Sequence, residues 1–242
     1  LAPIINYRDF HQMNTEHYFN IQQSVRKSKV RLVIDNNSQT PVYMHVSDGE
    51  YKEHYNDTFM HMFYIEEEKR GFYPEENHSV PGVYEISVKA KQEKNISFVC
   101  SLEENIEEID VQDLINKERN RIQKVIKQSE LIDETKIKKT KKEKDRDELI
   151  KTYLIATDNF VVYRPHFGLH TLIAGYHWFL DWGRDALIAF EGLLLIPKRY
   201  EIAREVILTM TRDIKYGLVP NGYSGYDNRP LYNSVDGSLL LF

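Results

Sequence analysis

Ile173-Ala-Gly-Tyr-His-Trp-Phe-Leu-Asp-Trp-Gly-Arg-Asp-Ala-Leu-Ile-Ala-Phe-Glu-Gly192 decides how this 242-residue chain is read. Both tryptophans, Trp178 and Trp182, lie in it beside Asp181, Arg184 and Asp185, and the apolar run Ala186 to Leu195 follows at once. Flat rings stack on flat faces, and carboxylate and guanidinium groups hydrogen-bond to paired hydroxyls in fixed geometry, so the mixture suits a polyhydroxylated ligand. The same residues also admit a purely structural reading, in which Asp181 or Asp185 caps the helix and Trp182 packs beneath it.

Toward the C-terminus, Ala186 to Leu195 is apolar nearly all round, which predicts a buried helix that Pro197 ends. Tyr200 to Lys215 is amphipathic, with Ile202, Ala203, Val206, Ile207, Met210 and Ile214 on one side and Arg204, Glu205, Thr209, Arg212 and Asp213 around the rest. The stretch Tyr216 to Asn233, rich in glycine, proline and tyrosine, is long for a mere connection. Asn233 to Phe242 then reads as another apolar helix, with Asn233 as its N-cap and Asp236 three residues on. Alternating buried and amphipathic helices predict an α/α toroid, in which the loops before the inner helices gather at one end. Asp185 and Asp236 are then expected to meet across a pocket. Two carboxyl groups so placed suit glycoside hydrolysis, where inverting enzymes hold them about 6.5–9.5 Å apart. A helix N-terminus favours the ionised form, so whichever Asp acts as the acid needs its pKa raised by apolar burial or by its partner. For Asp236 a simple capping role is the competing reading.

Toward the N-terminus, residues 1 to about 101 read as an antiparallel β-sandwich, with strands at Val30–Ile34, Val42–Val46, Phe59–Ile65, Val83–Val88 and Ile96–Cys100. Asp35 to Ser38, Ser47 to Gly49, Tyr73 to Asn77 and Pro81-Gly82 supply turn chemistry between them. Leu1 to His11 is expected to be a further strand, whose Arg8, Asp9 and His11 either form a structural ion pair or touch a ligand. Residues 102–146 read as a charged helical linker, with Val111, Leu114, Ile115, Ile122, Val125 and Ile126 on one face. The lysine-rich stretch 136–147 lacks interleaved aromatic rings and reads as a solvated helix face. A second domain is expected from Asp147 onward.

A net charge of -5 gives no general attraction to a nucleic-acid backbone, and no apolar stretch has the length of a membrane span. The single cysteine, Cys100, fits a reducing, cytoplasmic compartment and is expected in the core. The histidines lack metal-ligand spacing. His166 and His170 are four apart, but Pro165 and Gly168 argue against a regular helix there. No cofactor or metal is expected.

Ala174-Gly-Tyr-His-Trp-Phe-Leu-Asp-Trp-Gly-Arg-Asp185, Gly217-Leu-Val-Pro-Asn221 and Tyr232-Asn-Ser-Val-Asp236, in that order, resemble the amylo-alpha-1,6-glucosidase domain of bacterial and archaeal glycogen debranching enzymes. Ala156 to Val162 and, further upstream, Pro3-Ile-Ile-Asn-Tyr-Arg-Asp-Phe-His11 are similar to other parts of the same family, the latter to its β-sandwich. The resemblance implies an (α/α)6 barrel that removes, with inversion, the glucose left on an α-1,6 branch stub of glycogen, limit dextrin or a maltooligosaccharide. It implies that Trp182, Arg184 and Asp185 line the subsite for that glucose, with Trp178, Asp181, Asn221, Tyr232 and Asn233 as further substrate-binding candidates and Asp236 as general acid. The glutamate base of the family lies further along the barrel and has no counterpart in this sequence, so the chain is expected to be a fragment with little turnover. Residues 147–242 are expected to hold four or five helices of the barrel. A trehalase-like or glucoamylase-like toroidal hydrolase, and a non-catalytic carbohydrate-binding fragment, are the alternatives.

Overall fold

A computed structural model describes residues 1–8, 13–15, 19–176, 179–225 and 227–241, with the backbone alone at 55 and 56. The chain forms two compact units, Leu1–Leu114 and Ile115–Phe242.

The first unit runs through β1 (Ile21–Arg26), β2 (Lys29–Ile34), β3 (Val42–Val46), β4 (Glu50–Phe63), α1 (Ile65–Lys69), β5 (Glu75–Glu85) and β6 (Phe98–Ser101). It is β-rich, as expected. β1, β2, β3 and β6 make an antiparallel sheet in that order, and β4 pairs with β5 in a separate two-stranded ribbon. Period-two alternation sends Val30 and Leu32 of β2 inward, where they are buried with Met44, Val46 and Tyr84. Full burial of a side chain of this size contributes about 1.5–3 kcal/mol.

Several boundaries differ from the sequence reading. β1 was not expected, because the two-residue turn that joins it to β2, Lys27-Ser28, has neither glycine nor asparagine although Lys27 takes φ 57°. The expected strand Phe59–Ile65 is the second half of the longer β4, which gives way to α1 at Ile65. The expected strand Val83–Val88 is the end of β5, which passes through Pro81-Gly82 without turning. Pro81 falls where the register slips between Glu53 and Asp57 of β4, and an irregular ladder tolerates a residue with no N–H. At Gly82 an added Cβ would lie 2.4 Å from the Lys52 carbonyl and 2.5 Å from the Tyr51 ring, so glycine here serves close packing. Cys100 is exposed on β6 rather than in the core. β6 is an end strand of the sheet, although partial burial still pushes the thiol pKa up.

Among the described residues the expected opening strand reduces to one antiparallel bridge, Ile5 to Ser79. Asp9 and His11 lie outside the described residues. Arg8 takes the structural alternative. It pairs with Glu76, which is 1% exposed, through Nε to Oε1 and through Nη2 to Oε2 at 3.1 Å. The Asn14 N–H donates to Glu76 Oε1 at 2.9 Å. Burial alone raises the Glu76 pKa, but Arg8 and the Asn14 amide outweigh it and hold the carboxyl below the usual range. Burial also keeps the neighbouring His78 imidazole below its ordinary pKa, against the pull of Glu76.

The second unit begins within α2 (Val111–Ser129) and continues through α3 (Lys141–Asp158), β7 (Val161–Arg164), β8 (Leu169–Leu172), α4 (Gly183–Phe190), α5 (Tyr200–Thr211), β9 (Gly222–Tyr223), β10 (Pro230–Leu231) and α6 (Gly237–Leu240). A capping box starts α3: the Glu143 N–H donates to Thr140 Oγ1 at 3.3 Å and the Thr140 N–H donates to Glu143 Oε2 at 2.8 Å. The lysine-rich stretch is divided between the connection after α2 and the first turns of α3. Lys139 and Arg146 pair with the buried Asp147 at 2.6 and 2.9 Å. β7 and β8 form a hairpin, with His166 in its turn and His170 on β8.

α4 runs on through a π-helical turn, Glu191–Leu195. The expected all-round burial does not hold: Ala186 and Leu194 are buried, but Ile188 is 64% exposed. Leu172, Ala186, Leu194, Ala203, Val206, Met210 and Val219 make the core of this unit. Thr209, expected on the polar side of α5, is buried, and its hydroxyl donates to the carbonyls of Glu205 and His170, both at 3.1 Å. A hydroxyl can sit inside when its hydrogen finds backbone oxygen.

Acid is expected to destabilise the β-rich unit for two reasons. The depressed Glu76 pKa gives stabilisation that is complete above the ordinary glutamate value of about 4.3 and is lost as pH falls through the folded value. His78, kept neutral by burial, must also gain a proton. Glu76→Gln should cost about 1–3 kcal/mol at neutral pH and flatten the acid limb. Urea titrations between pH 7 and pH 3 check this, and an unchanged acid limb in the variant contradicts it.

Candidate functional site

The N-terminus of α4 is where the three motif segments converge. Trp182 occupies the N-cap position in extended conformation but makes no side-chain cap bond, and among the described residues neither Asp181 nor Asp185 caps the helix in its place. The partners come from the Gly217–Asn221 segment instead. The Asn221 carbonyl accepts from the Gly183 N–H at 2.7 Å, and Asn221 Oδ1 accepts from the Arg184 N–H at 3.1 Å. Two of the amide hydrogens that a helix start leaves unpaired are thereby satisfied. Gly183 is required by proximity: a Cβ there would lie 2.6 Å from the Pro220 carbonyl oxygen. Trp182 packs half-buried against the backbone of Gly222.

Asn221 also reaches the third segment. Its Nδ2 donates to Asn233 Oδ1 at 3.0 Å, and its N–H donates to the Leu231 carbonyl at 2.7 Å. Asn233 is therefore not the cap of the last helix. α6 begins at Gly237 with Asp236 itself in the N-cap position, and the Gly237 N–H donates to Ser234 Oγ at 3.3 Å. The Ser234 hydroxyl donates to Asp236 Oδ1, while Arg184 Nε meets Asp236 Oδ2 at 2.8 Å, with both partners about half exposed. The Ser234 hydroxyl, aided by the Arg184 guanidinium, holds the Asp236 carboxyl below the usual range.

Asp185 is exposed on the next position of α4 and lines a cleft of about 260 Å³. Phe160, Leu172, Ile173, Ala174, Ile188 and Leu193 supply most of its wall, and Asp236 is not among the lining residues. Asp185 was expected to meet Asp236 across one pocket; among the described residues Asp236 pairs with Arg184, and Asp185 lines a largely apolar cleft.

Asp181 is 5% exposed, with Arg164 Nε 3.4 Å from its carboxylate. Burial raises its pKa, over the opposing pull of Arg164 and the Thr171 hydroxyl. Arg164 lies over the Phe167 ring, which Arg212 approaches more closely, at 4.5 Å from the ring centre. Tyr232 donates its hydroxyl to the Asp213 carbonyl at 2.5 Å. Tyr223, buried, donates to the Thr209 carbonyl and Asp213 Oδ2, and Tyr216 is exposed. Trp178 and Tyr226 lie outside the described residues.

Sequence reasoning therefore named the residues that converge here, Arg184, Asn221, Asn233 and Asp236, but missed Arg164 and Ser234. Ser234 sits two residues before Asp236, a spacing at which a hydroxyl reaches a neighbouring polar group. Arg164 carried no local signal, since its partner is 17 positions away on another element. Gly183→Ala should destabilise the second unit by about 1–3 kcal/mol, the usual cost of overpacking, because the Pro220 carbonyl must move. A denaturant midpoint equal to that of the unaltered chain contradicts the contact.

Residues 155–242 match the family model described as amylo-alpha-1,6-glucosidase, and residues 1–95 match the model described as glycogen debranching enzyme N terminal. Among curated relatives, the glycogen debranching enzyme of Saccharomyces cerevisiae is 34% identical over 74 residues, which is 31% of this chain and 4% of the yeast protein. No solved structure matches the chain. Two models of one enzyme follow each other along the sequence, and the relative carries the same description: the chain belongs to the glycogen debranching enzyme family.

Proposed function

We propose that this chain supplies part of the glucose-binding site of an inverting α-1,6-glucosidase that acts on branch stubs of glycogen, limit dextrin or maltooligosaccharides in the cytoplasm. The single observation that carries the reading is the convergence of Arg184, Asn221, Asn233 and Asp236 within the segment matched by the glucosidase model. Arg184 and Asp185 address sugar hydroxyls, Trp182 and Trp178 supply ring faces, and Asn221, Tyr232 and Asn233 border the subsite. Asp181, buried beside Arg164, is a further substrate-binding candidate in this reading. The organisation that fits is a β-sandwich over 1–101, a charged helical linker over 102–146 and the first helices of an (α/α)6 barrel over 147–242. Exposed apolar side chains support the barrel: Ile188 on α4, Leu239 on α6 and Val235 just before it are 64%, 77% and 80% exposed, on faces that neighbouring inner helices would cover.

Asp236 is the general acid in this reading, and an acid must carry a proton. Among the described residues it is paired with a cation and a hydroxyl rather than with a second carboxylate, and both partners favour its ionised form. Protonation therefore requires a further carboxylate or an apolar cover. The chain alone is expected to release little glucose. Robust release by the 242-residue chain from a glucosyl-branched maltodextrin overturns that statement.

In a longer form carrying the complete site, Asp236→Asn is expected to lower glucose release by about 10²–10⁴-fold, the range for losing general acid catalysis, with sugar affinity nearly unchanged. Near wild-type turnover removes Asp236 from the acid role. Comparing α-1,6 stubs with α,α-trehalose and α-1,4 ends separates this reading from other toroidal glycosidases.

A further inference from the structure

Asn221 has little left to offer a ligand. Its carbonyl receives the Gly183 N–H, its N–H goes to the Leu231 carbonyl, its Oδ1 receives the Arg184 N–H, and its Nδ2 donates to Asn233. Those four bonds join the start of α4, the end of β10 and the segment that leads to Asp236. Only one amide hydrogen and spare lone pairs remain. Arg184 and Asp236, by contrast, meet through side chains that are each about half exposed. An exposed ion pair of this kind fixes little by itself, because holding two side chains in one geometry offsets most of the attraction.

We propose that Asn221 is a positioning residue, not a sugar ligand: its two-ended side chain holds the Arg184 backbone and the Asn233 segment at the separation that lets Arg184 reach Asp236. One end works as a helix cap supplied from 37 residues away, and the other is an amide-to-amide bond across 12 residues. The consequence for catalysis rests on the glucosidase reading above. The geometry itself does not.

The experiment separates the two. In the ¹⁵N-labelled chain without sugar, the Arg184 Nε–H resonance reports its contact with Asp236 through slowed solvent exchange. Asn221→Ala and Asn233→Ala are each expected to lose that protection. Acting as one link, the pair should be non-additive, the double variant being no worse than Asn221→Ala. Asn221→Asp should retain protection, since a carboxylate still caps Arg184 and can accept from the Asn233 amide. A merely structural Asn221 lowers the melting temperature and leaves the Arg184 resonance protected, which overturns the proposal. If Asn221→Ala does not fold, Asn233→Ala decides, because it removes only the exposed end of the link. In the second arm, isomaltose titrated against tryptophan fluorescence should bind roughly tenfold more weakly to Asn221→Ala, the loss expected when a cap-sized interaction is removed. Protection of Arg184 in an unaltered chain that binds no isomaltose at millimolar concentration overturns the glucan reading and leaves the positioning role standing.

Discussion

The unpaired amide hydrogens at the start of α4 are the constraint on which the second unit depends. A helix cannot leave them without partners where the chain is packed, and α4 has no capping side chain of its own, since Trp182 stands at that position. The solution borrows oxygen from Asn221, which forces the Pro220–Asn221 backbone hard against Gly183. Once that contact is made, the course of the following chain is largely set. β9 and β10 must close a short hairpin directly after it, and Asn233 and Asp236 are delivered to the side of α4 that carries Arg184. A requirement of backbone hydrogen bonding thus becomes a requirement on where charged side chains meet.

Two aspartates from these segments lie in opposite environments. Asp181 is buried, and loss of solvent raises its pKa against the pull of Arg164. Asp236 is open to water, and a hydroxyl and a guanidinium lower its pKa. Environment, not residue type, sets the direction of each shift.

The parts of this architecture legible in the sequence are those set by local physics. β2 and β3 follow from β-branched and aromatic runs bounded by polar turns, and the inward side of α5 follows from its three- and four-residue spacing. What stayed hidden depends on partners distant in sequence. Lys27 and Ser28 gave no turn signal for β1, and Pro81-Gly82 signals a turn until the slipped register of β4 is known. Thr209 looks solvent-facing until the His170 carbonyl is placed above it. In the site, residue identities were readable because acids, amides and rings cluster in short motifs. Their pairing was not, because the Asn233 and Asp236 reading assumed a longer final helix than the four residues of α6. One missing turn moves the cap from Asn233 to Asp236 and frees Asn233 for Asn221.

The ribbon of β4 and β5 carries a further consequence. A two-stranded ribbon this long has edges that could recruit another strand, the usual route to aggregation. Part of the outer edge of β5 is already taken, since Ile5 and Ser79 exchange backbone hydrogen bonds and the Tyr84 N–H donates to the Leu1 carbonyl. Here the ladder is broken twice by register slips in β4, and β5 carries a proline in mid-strand with no hydrogen to donate. Each interruption shortens the straight edge that an incoming strand could follow. The irregularities that obscured β5 in the sequence thus act together with the N-terminal segment to limit the edge that β5 offers to another strand.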